Sequence, residues 1–408
     1  MSQCRVCGAS VTLFLDLGNQ PLSDVFPAGT PGSEADEFFY RLRVGACTGC
    51  AMVQLLEEVP RERMFGDHYP YRSSGSAVMR RHFTALAKRL LALELSGRDD
   101  PFVVELGCND GVMLRTLARA QIRHLGVEPS VRISQTAVEC GVQVLNAYFD
   151  QETAVRISAE HGPADVIYAA NTLCHIPYVT SVLDGVAELL TDDGVFVFED
   201  PYLGDIVAST SFDQIYDEHF FLFSATTVAR LAERHGLALV DVERLPVHGG
   251  ELRYTLARAG KRRAGGAVAE LVAEEAARGL HTPEALSVFA TAVRRNAHDL
   301  VELLSRLRGE GRTIAAYGAT AKSATVTNYC NIGPELVSVV YDTTPEKQGR
   351  VTPGTHIPVT PAAEFADPYP DYAVLFAWNH AAEIMTKETG FTDHGGRWIT
   401  YVPEVRVL

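Results

Sequence analysis

Four of the eight cysteines fall within the first fifty residues, as two pairs of equal spacing: CRVC (Cys4, Cys7) and CTGC (Cys47, Cys50). Two residues between cysteines let both sulfurs face one ion from a tight knuckle. Two such knuckles complete a tetrahedral site. No coordination position stays open, so the expected metal is a structural zinc. Metal binding of this kind becomes folding free energy, on the order of 10–16 kcal/mol near neutral pH. The spacing therefore predicts a small metal-nucleated domain over residues 1–75, ending near YPYRSSGS.

The other cysteines (Cys108, Cys140, Cys174, Cys330) are scattered. Nothing at the N-terminus has the pattern of a signal peptide, and no run of about 18 apolar residues suggests a membrane span. A cytoplasmic protein with free thiols is expected. A length of 408 residues with 47% hydrophobic content allows two to three packed domains. The net charge of −15 argues against nonspecific affinity for nucleic acid or an anionic membrane. An anionic small molecule remains open, because a local cluster of donors can outweigh a distant negative surface.

From residue 76 the pattern changes. MRRHFTALAKRLLALEL has helical spacing, and short apolar runs then alternate with helices. Strands are expected at FVVELG (102–107), HLGVE (124–128), VQVLNAYF (142–149), DVIYAAN (165–171) and DDGVFVFEDP (192–201). Such alternation predicts a doubly wound parallel sheet. The region closes with two extended runs around PVHGG, within 237–258, which reads as an antiparallel hairpin. A terminal hairpin on a parallel sheet suits an S-adenosylmethionine-dependent methyltransferase domain, over 76–260, better than a dehydrogenase. Residues 261–308 read as long connecting helices. A second, smaller Rossmann-like α/β domain over 261–408 follows, with strands at RTIAAY, LVSVVYD (336–342), YAVLFAWN (372–379) and RWITYVPEV (397–405).

ELGCNDG (105–111) follows a strand and opens a helix. A glycine turn there lets backbone approach a ligand closely. Its candidate cofactor residues are Glu105, Gly107, Asn109 and Gly111, with Asn109 where a middle glycine is usual; Asn tolerates left-handed geometry. Glu128 ends the next strand, placed to accept from both ribose hydroxyls. Tyr148 or Phe149 could cover the adenine, and Asn171 ends the fourth strand. YGATAKS (317–323) is a second helix start. Its backbone N–H groups (Gly318, Thr320) and Lys322 favour an anion, such as the diphosphate of a nucleotide-linked substrate. Asp342 ends the following strand. FDQIYDEHFFLFS (212–224) sets Tyr216, Glu218 and His219 against four apolar residues. A neutral imidazole there is a competent base. His219 is preferred over His175, in NTLCHIP, and over His248 in the hairpin.

Taken together, CRVC…CTGC, YPYRSSGS, ELGCNDG, NTLCHIPYV, FEDPYLGDIV, FDQIYDEHFFLFS, LPVHGGELRYTLAR, YGATAKSATVTNY, YDTTPEKQGR and LFAWNH resemble the three-domain sugar C-methyltransferases of deoxysugar (antibiotic) biosynthesis. The similarity runs over essentially the whole chain. It is greatest to the enzymes that methylate C-3 of TDP-linked 3-amino-2,3,6-trideoxy-4-keto hexoses on the way to nitrosugars. The resemblance implies a TDP-sugar held between the outer domains and facing the middle one. It implies His219 as base with Tyr216 and Glu218 nearby, and His175 with Tyr71 or Tyr69 lining the sugar site. A monomer is expected. The rival readings are C-5 or O-methylation of a nucleotide sugar and an NAD-dependent sugar oxidoreductase.

Overall fold

The computed structural model describes residues 2–29, 37–65 and 71–408. Among them are three sheets. The first contains β1 (Val11–Pro21), β2 (Phe39–Cys47) and β3 (Val53–Leu55). The β1–β2 register pairs Val11 with Cys47. That register carries the first cysteine knuckle, just before β1, onto the second, at the end of β2.

The sulfurs converge accordingly. Cys4 and Cys50 Sγ are 3.6 Å apart, Cys7 and Cys47 Sγ are 3.3 Å apart, and all four lie within 4.8 Å of one another. A tetrahedral zinc with Zn–S bonds of ~2.3 Å needs sulfurs about 3.8 Å apart, so the donor set fits the ion. The Val6 N–H donates to Cys4 Sγ, and the Gly49 and Cys50 N–H groups donate to Cys47 Sγ. These bonds favour thiolates, the form a metal needs.

The second sheet has the order β10-β11-β8-β7-β4-β5-β6. Its parallel part is β4 (Phe102–Leu106), β5 (Arg123–Val127), β6 (Val144–Leu145), β7 (Ala164–Ala170) and β8 (Leu190–Pro201). After β9 (Phe221–Leu222), the strands β10 (Leu237–Leu245) and β11 (Glu251–Arg258) form the antiparallel hairpin, with β11 against β8. β4 is buried on both faces, as its mainly apolar sequence FVVEL requires. β6 is far shorter than the expected 142–149. Asn146 ends it by donating its side-chain amide to the Glu128 carbonyl, 2.9 Å, and to Ser134 Oγ, 2.8 Å.

β9 does not join this second sheet. It pairs with β3, so FDQIYDEHFFLFS leaves its own domain and becomes an edge of the cysteine-bearing sheet. The third sheet has the order β14-β13-β12-β15-β16-β17. Its strands are β12 (Ile314–Tyr317), β13 (Val340–Asp342), β14 (Val359–Pro361), β15 (Tyr372–Leu375), β16 (Arg397–Thr400) and β17 (Arg406–Val407). The helices Gly266–Ala277 and Pro283–Gly309 connect the second sheet to the third. β13 is shorter than expected because only Val340–Asp342 pairs with β14. Of RWITYVPEV only Arg397–Thr400 is strand, and β17 lies just beyond the segment, returning antiparallel to β16. Among the described residues, no helix is long and apolar enough to cross a membrane.

Metal analysis of the purified protein should give about one zinc per chain. Cys47→Ser should lose that zinc and unfold the first sheet. A zinc-free wild-type protein with a native circular dichroism spectrum would contradict this.

Candidate active site

A cavity of about 340 Å³ opens where the three sheets meet, and most of the expected residues line it. Its walls include Gly107, Asn109, Glu128, Tyr148, Phe149 and Asn171 from the second sheet's loops. His175, Tyr216, Glu218, His219 and His248 form another side. Thr320, Lys322 and Asp342 contribute from the third sheet, and Tyr71 from the segment after the first. Tyr69 lies outside the described residues.

The segment 212–224 owes its position to all three sheets. The Asp213 carboxylate accepts from Trp378 Nε1 at 2.6 Å and from the Tyr401 hydroxyl at 2.7 Å, both in the C-terminal region. The Ile215 carbonyl accepts from Thr325 Oγ1 at 2.9 Å. The Asp217 carboxylate accepts the Ser23 N–H at 3.1 Å. Phe220, Phe221 and Phe223 are buried, so the apolar half of the segment is core. Asp213 and Asp217 are therefore fasteners. Burial raises the carboxyl pKa of both, that of Asp217 to about 6.

Between these fasteners the imidazole of His219 is fixed at both nitrogens. Nδ1 lies 2.7 Å from the Gln214 carbonyl, which can only accept, so Nδ1 carries the proton. Nε2 is then the acceptor for the Tyr216 hydroxyl, also at 2.7 Å. His175 stacks on His219 with ring centroids 5.3 Å apart, and Phe65 stacks on His175 at 5.6 Å. Burial holds His219 well below the usual histidine range, and the neighbouring His175, Lys322 and His248 act in the same direction. Burial brings His175 and His248 each down to about 3. Three neutral imidazoles therefore face one cavity at neutral pH. Nε2 of both His175 and His248 is buried without a hydrogen-bond partner among the described residues.

The two nucleotide-type turns share one device. Glu128 Oε2 accepts the Asn109 N–H at 3.0 Å, and Oε1 accepts the Ser130 N–H at 2.9 Å. Asp342 Oδ2 accepts the Ala319 N–H at 2.6 Å, and Oδ1 accepts the Thr344 N–H at 2.7 Å. Each acid at a strand end braces the turn after the neighbouring strand. Its remaining lone pairs face the cavity.

Several expected residues do other work. Glu105 and Gly111 do not line the cavity. Glu105 is buried beneath the turn, where desolvation and the charges of Asp110 and Glu128 push its carboxyl well up. Gly111 has φ +74°, and a Cβ there would lie 2.7 Å from the Ala137 Cβ, so its lack of a side chain serves helix packing. Gly318, at φ +95°, likewise admits the backbone of Ala377. Thr320 caps its helix by accepting the Ser323 N–H. Lys322 lines the cavity, but its ammonium donates to the His248 carbonyl at 3.1 Å and sits 5.6 Å from the Trp378 ring centroid. Of the two aromatics after β6, Phe149 is core and Tyr148 is the half-exposed one.

Asn109 adopts the expected left-handed backbone, φ +49°. It also does what glycine could not. Its Oδ1 accepts the Ser73 N–H at 3.0 Å, and its Nδ2 donates to the Tyr71 carbonyl at 3.2 Å. The segment carrying Tyr71 is thereby tied to the turn. Two cavity residues carried no sequence signal. Lys347 bonds Asp24 at 3.0 Å, joining the third sheet's region to the first. Arg61 lies over Tyr148.

Three family models match in series: a "Putative zinc binding domain" over residues 4–65, a methyltransferase domain over 79–242, and a C-methyltransferase C-terminal domain over 246–403. The C-methyltransferase NovU of Streptomyces niveus is 34% identical over 411 residues, covering 100% of this chain and 97% of its own. This chain belongs to the C-methyltransferase family. It is an S-adenosylmethionine-dependent enzyme with a zinc-binding domain. The oxidoreductase and O-methylation readings fall with that assignment. Solved structures that align with this C-methyltransferase include the magnesium protoporphyrin IX methyltransferase of Synechocystis, 11% identical, TM-score 0.34, covering 44% of this chain and 79% of that one. An S-adenosylmethionine-dependent methyltransferase of Anabaena variabilis is 18% identical, TM-score 0.34, covering 43% and 84%.

Asn109→Ala should lower the melting temperature of the C-methyltransferase more than Asn109→Gly. Both lose the side-chain bonds, worth roughly 1 kcal/mol each. Alanine adds a left-handed backbone cost of about 1 kcal/mol. An alanine variant as stable as the glycine variant would contradict the assignment.

Proposed function

We propose that the enzyme methylates C-3 of a TDP-linked 3-amino-2,3,6-trideoxy-4-keto hexose, in deoxysugar biosynthesis, with His219 as the base. The observation that carries this reading is the fixed imidazole: Nδ1 protonated on Gln214, Nε2 facing Tyr216, and the ring held neutral by burial. A carbon next to a ketone becomes nucleophilic only when its proton leaves. With the sugar bound, the Tyr216 O–H turns from Nε2 to the C-4 carbonyl oxygen and frees the Nε2 lone pair. His219 Nε2 then takes the C-3 proton, and the C–H electron pair moves through C-3 to the carbonyl oxygen, where the Tyr216 O–H donates to the developing enolate. The protonated Nε2 in turn donates to the Tyr216 oxygen. Donors aimed at developing charge in a dry site are often the largest catalytic contribution. His175 holds the face of the imidazole by stacking, and Glu218 lines the same wall.

S-adenosylmethionine, when bound, supplies a methyl group that its sulfonium charge makes electrophilic. Gly107, Asn109, Glu128, Tyr148 and Asn171 would hold it, since they gather at the C-terminal ends of β4, β5, β6 and β7. The lone pairs of Glu128 left free by its two backbone bonds suit ribose hydroxyls. The nucleotide part of the substrate would lie along Thr320, Asp342 and the Lys347–Asp24 pair, with Tyr71 beside the sugar. Lys322 acts at this end by holding the His248 loop while its positive charge faces the diphosphate.

His219→Ala should lower kcat on the order of 10²–10⁴-fold and leave the affinity for S-adenosylhomocysteine unchanged. Turnover near wild type would remove His219 as base. Incubation with methyl-labelled S-adenosylmethionine and a panel of TDP-4-keto sugars should place the label on C-3 by NMR; label on C-5 or on oxygen would overturn the regiochemistry.

The pH dependence follows from burial. A base of ordinary pKa would lose activity as pH fell through about 6.5. The depressed pKa of His219 keeps Nε2 unprotonated below that point. His175, His248, Tyr216, Glu218 and the Lys322 ammonium face it; both neighbouring imidazoles stay neutral over this range, and the Lys322 charge opposes its protonation further. kcat should stay level from pH 7.5 to about 5.5, and an acid limb centred near 6.5 would contradict a buried base.

A further inference from the structure

The short helix Arg61–Met64 comes from the cysteine-bearing domain, yet it reaches the cavity at two points. The Arg61 guanidinium lies 4.0 Å from the Tyr148 ring centroid and 5.2 Å from that of Tyr178. Its Nη1 donates to the Tyr178 hydroxyl at 2.9 Å. All three side chains line the cavity beside Glu128, Ser130 and Phe149. One helical turn later, Phe65 stacks on His175 with the rings 8° from parallel. Tyr148 lies three residues after β6, and Tyr178 is the N-cap of the helix Val179–Leu189. These two tyrosines come from loops of the methyltransferase domain, and among the described residues the contacts to their rings come from Arg61.

We propose that Arg61 is a positioning residue for the cofactor, clamping Tyr148 and Tyr178 so that the zinc-bearing domain completes the adenosine end of the cavity. This rests on assigning the Glu128–Tyr148 end to S-adenosylmethionine. A planar cation over one face of a tyrosine is attracted by the ring quadrupole and holds the ring in one rotamer. The opposite face is then preset for a stacked base, and binding no longer has to order it. The arrangement gives the zinc-bearing domain a second task. Its fold sets cofactor affinity through Arg61, while Phe65 steadies the imidazole stack.

The test uses the full-length, zinc-loaded enzyme and S-adenosylhomocysteine in calorimetry. Arg61→Ala should weaken S-adenosylhomocysteine by about tenfold, the scale of a partly desolvated cation–π contact with its hydrogen bond. The kinetic loss should fall on the KM for S-adenosylmethionine rather than on kcat or the sugar KM. Arg61→Lys, which keeps charge but not the planar stack, should fall between. Tyr148→Ala should weaken binding at least as much, and the double variant should lose less than the sum of the two single losses. If Tyr148→Ala loses affinity while Arg61→Ala does not, the clamp is wrong and the cofactor assignment stands. If neither changes affinity, the assignment of this end fails and the clamp with it. If Arg61→Ala loses zinc, Arg61→Lys and Tyr178→Phe carry the test, and wild-type affinity in both overturns it.

Discussion

The architecture depends on how one thirteen-residue segment is suspended. FDQIYDEHFFLFS crosses from the methyltransferase domain to the cysteine-bearing sheet and is bonded from the C-terminal region on the way. Its apolar half needs a core, and pairing β9 with β3 supplies one. Its polar half then hangs over the cavity with every backbone turn constrained. The His219 imidazole is buried because three sheets close around it, so its depressed pKa is a property of the assembly rather than of its neighbours in sequence. Neutrality at both His175 and His248 has the same origin.

Two carboxylates do similar work at a smaller scale. Glu128 and Asp342 each brace a glycine turn against the adjacent strand end. A loop that must approach a ligand closely cannot rely on its own side chains for rigidity. Borrowing an acceptor from the next strand satisfies backbone N–H groups that would otherwise face a partly dry cavity. The acid is then a structural and a ligand-facing group at once.

Local chemistry was legible in the sequence. The cysteine knuckles, the glycine turn with Asn109 in left-handed geometry, and the terminal hairpin rest on short-range spacing. The parallel strands β4, β5, β7 and β8 announce themselves through short, mainly apolar runs. The strands of the first sheet did not, and the edge strand β6 is shorter than its pattern because Asn146 turns away to bond elsewhere. Long-range pairing hid most of the rest. Nothing in YDEHFFLF marks a strand that belongs to residues 53–55. Asp213 and Asp217 resemble catalytic acids until their partners, more than 160 residues away, are seen. Arg61 and Lys347 acquire meaning only across domain boundaries, where one-dimensional spacing carries no information.

The central claim is that a buried, neutral His219 removes a proton from the carbon beside the ketone. Solvent exchange tests it most directly: TDP-4-keto sugar is incubated with enzyme in ²H₂O, with S-adenosylhomocysteine in place of the methyl donor, and C-3 is followed by NMR. Deuterium should enter at C-3 with wild type and fall to the uncatalysed rate with His219→Ala. Exchange that persists undiminished in His219→Ala would contradict the account.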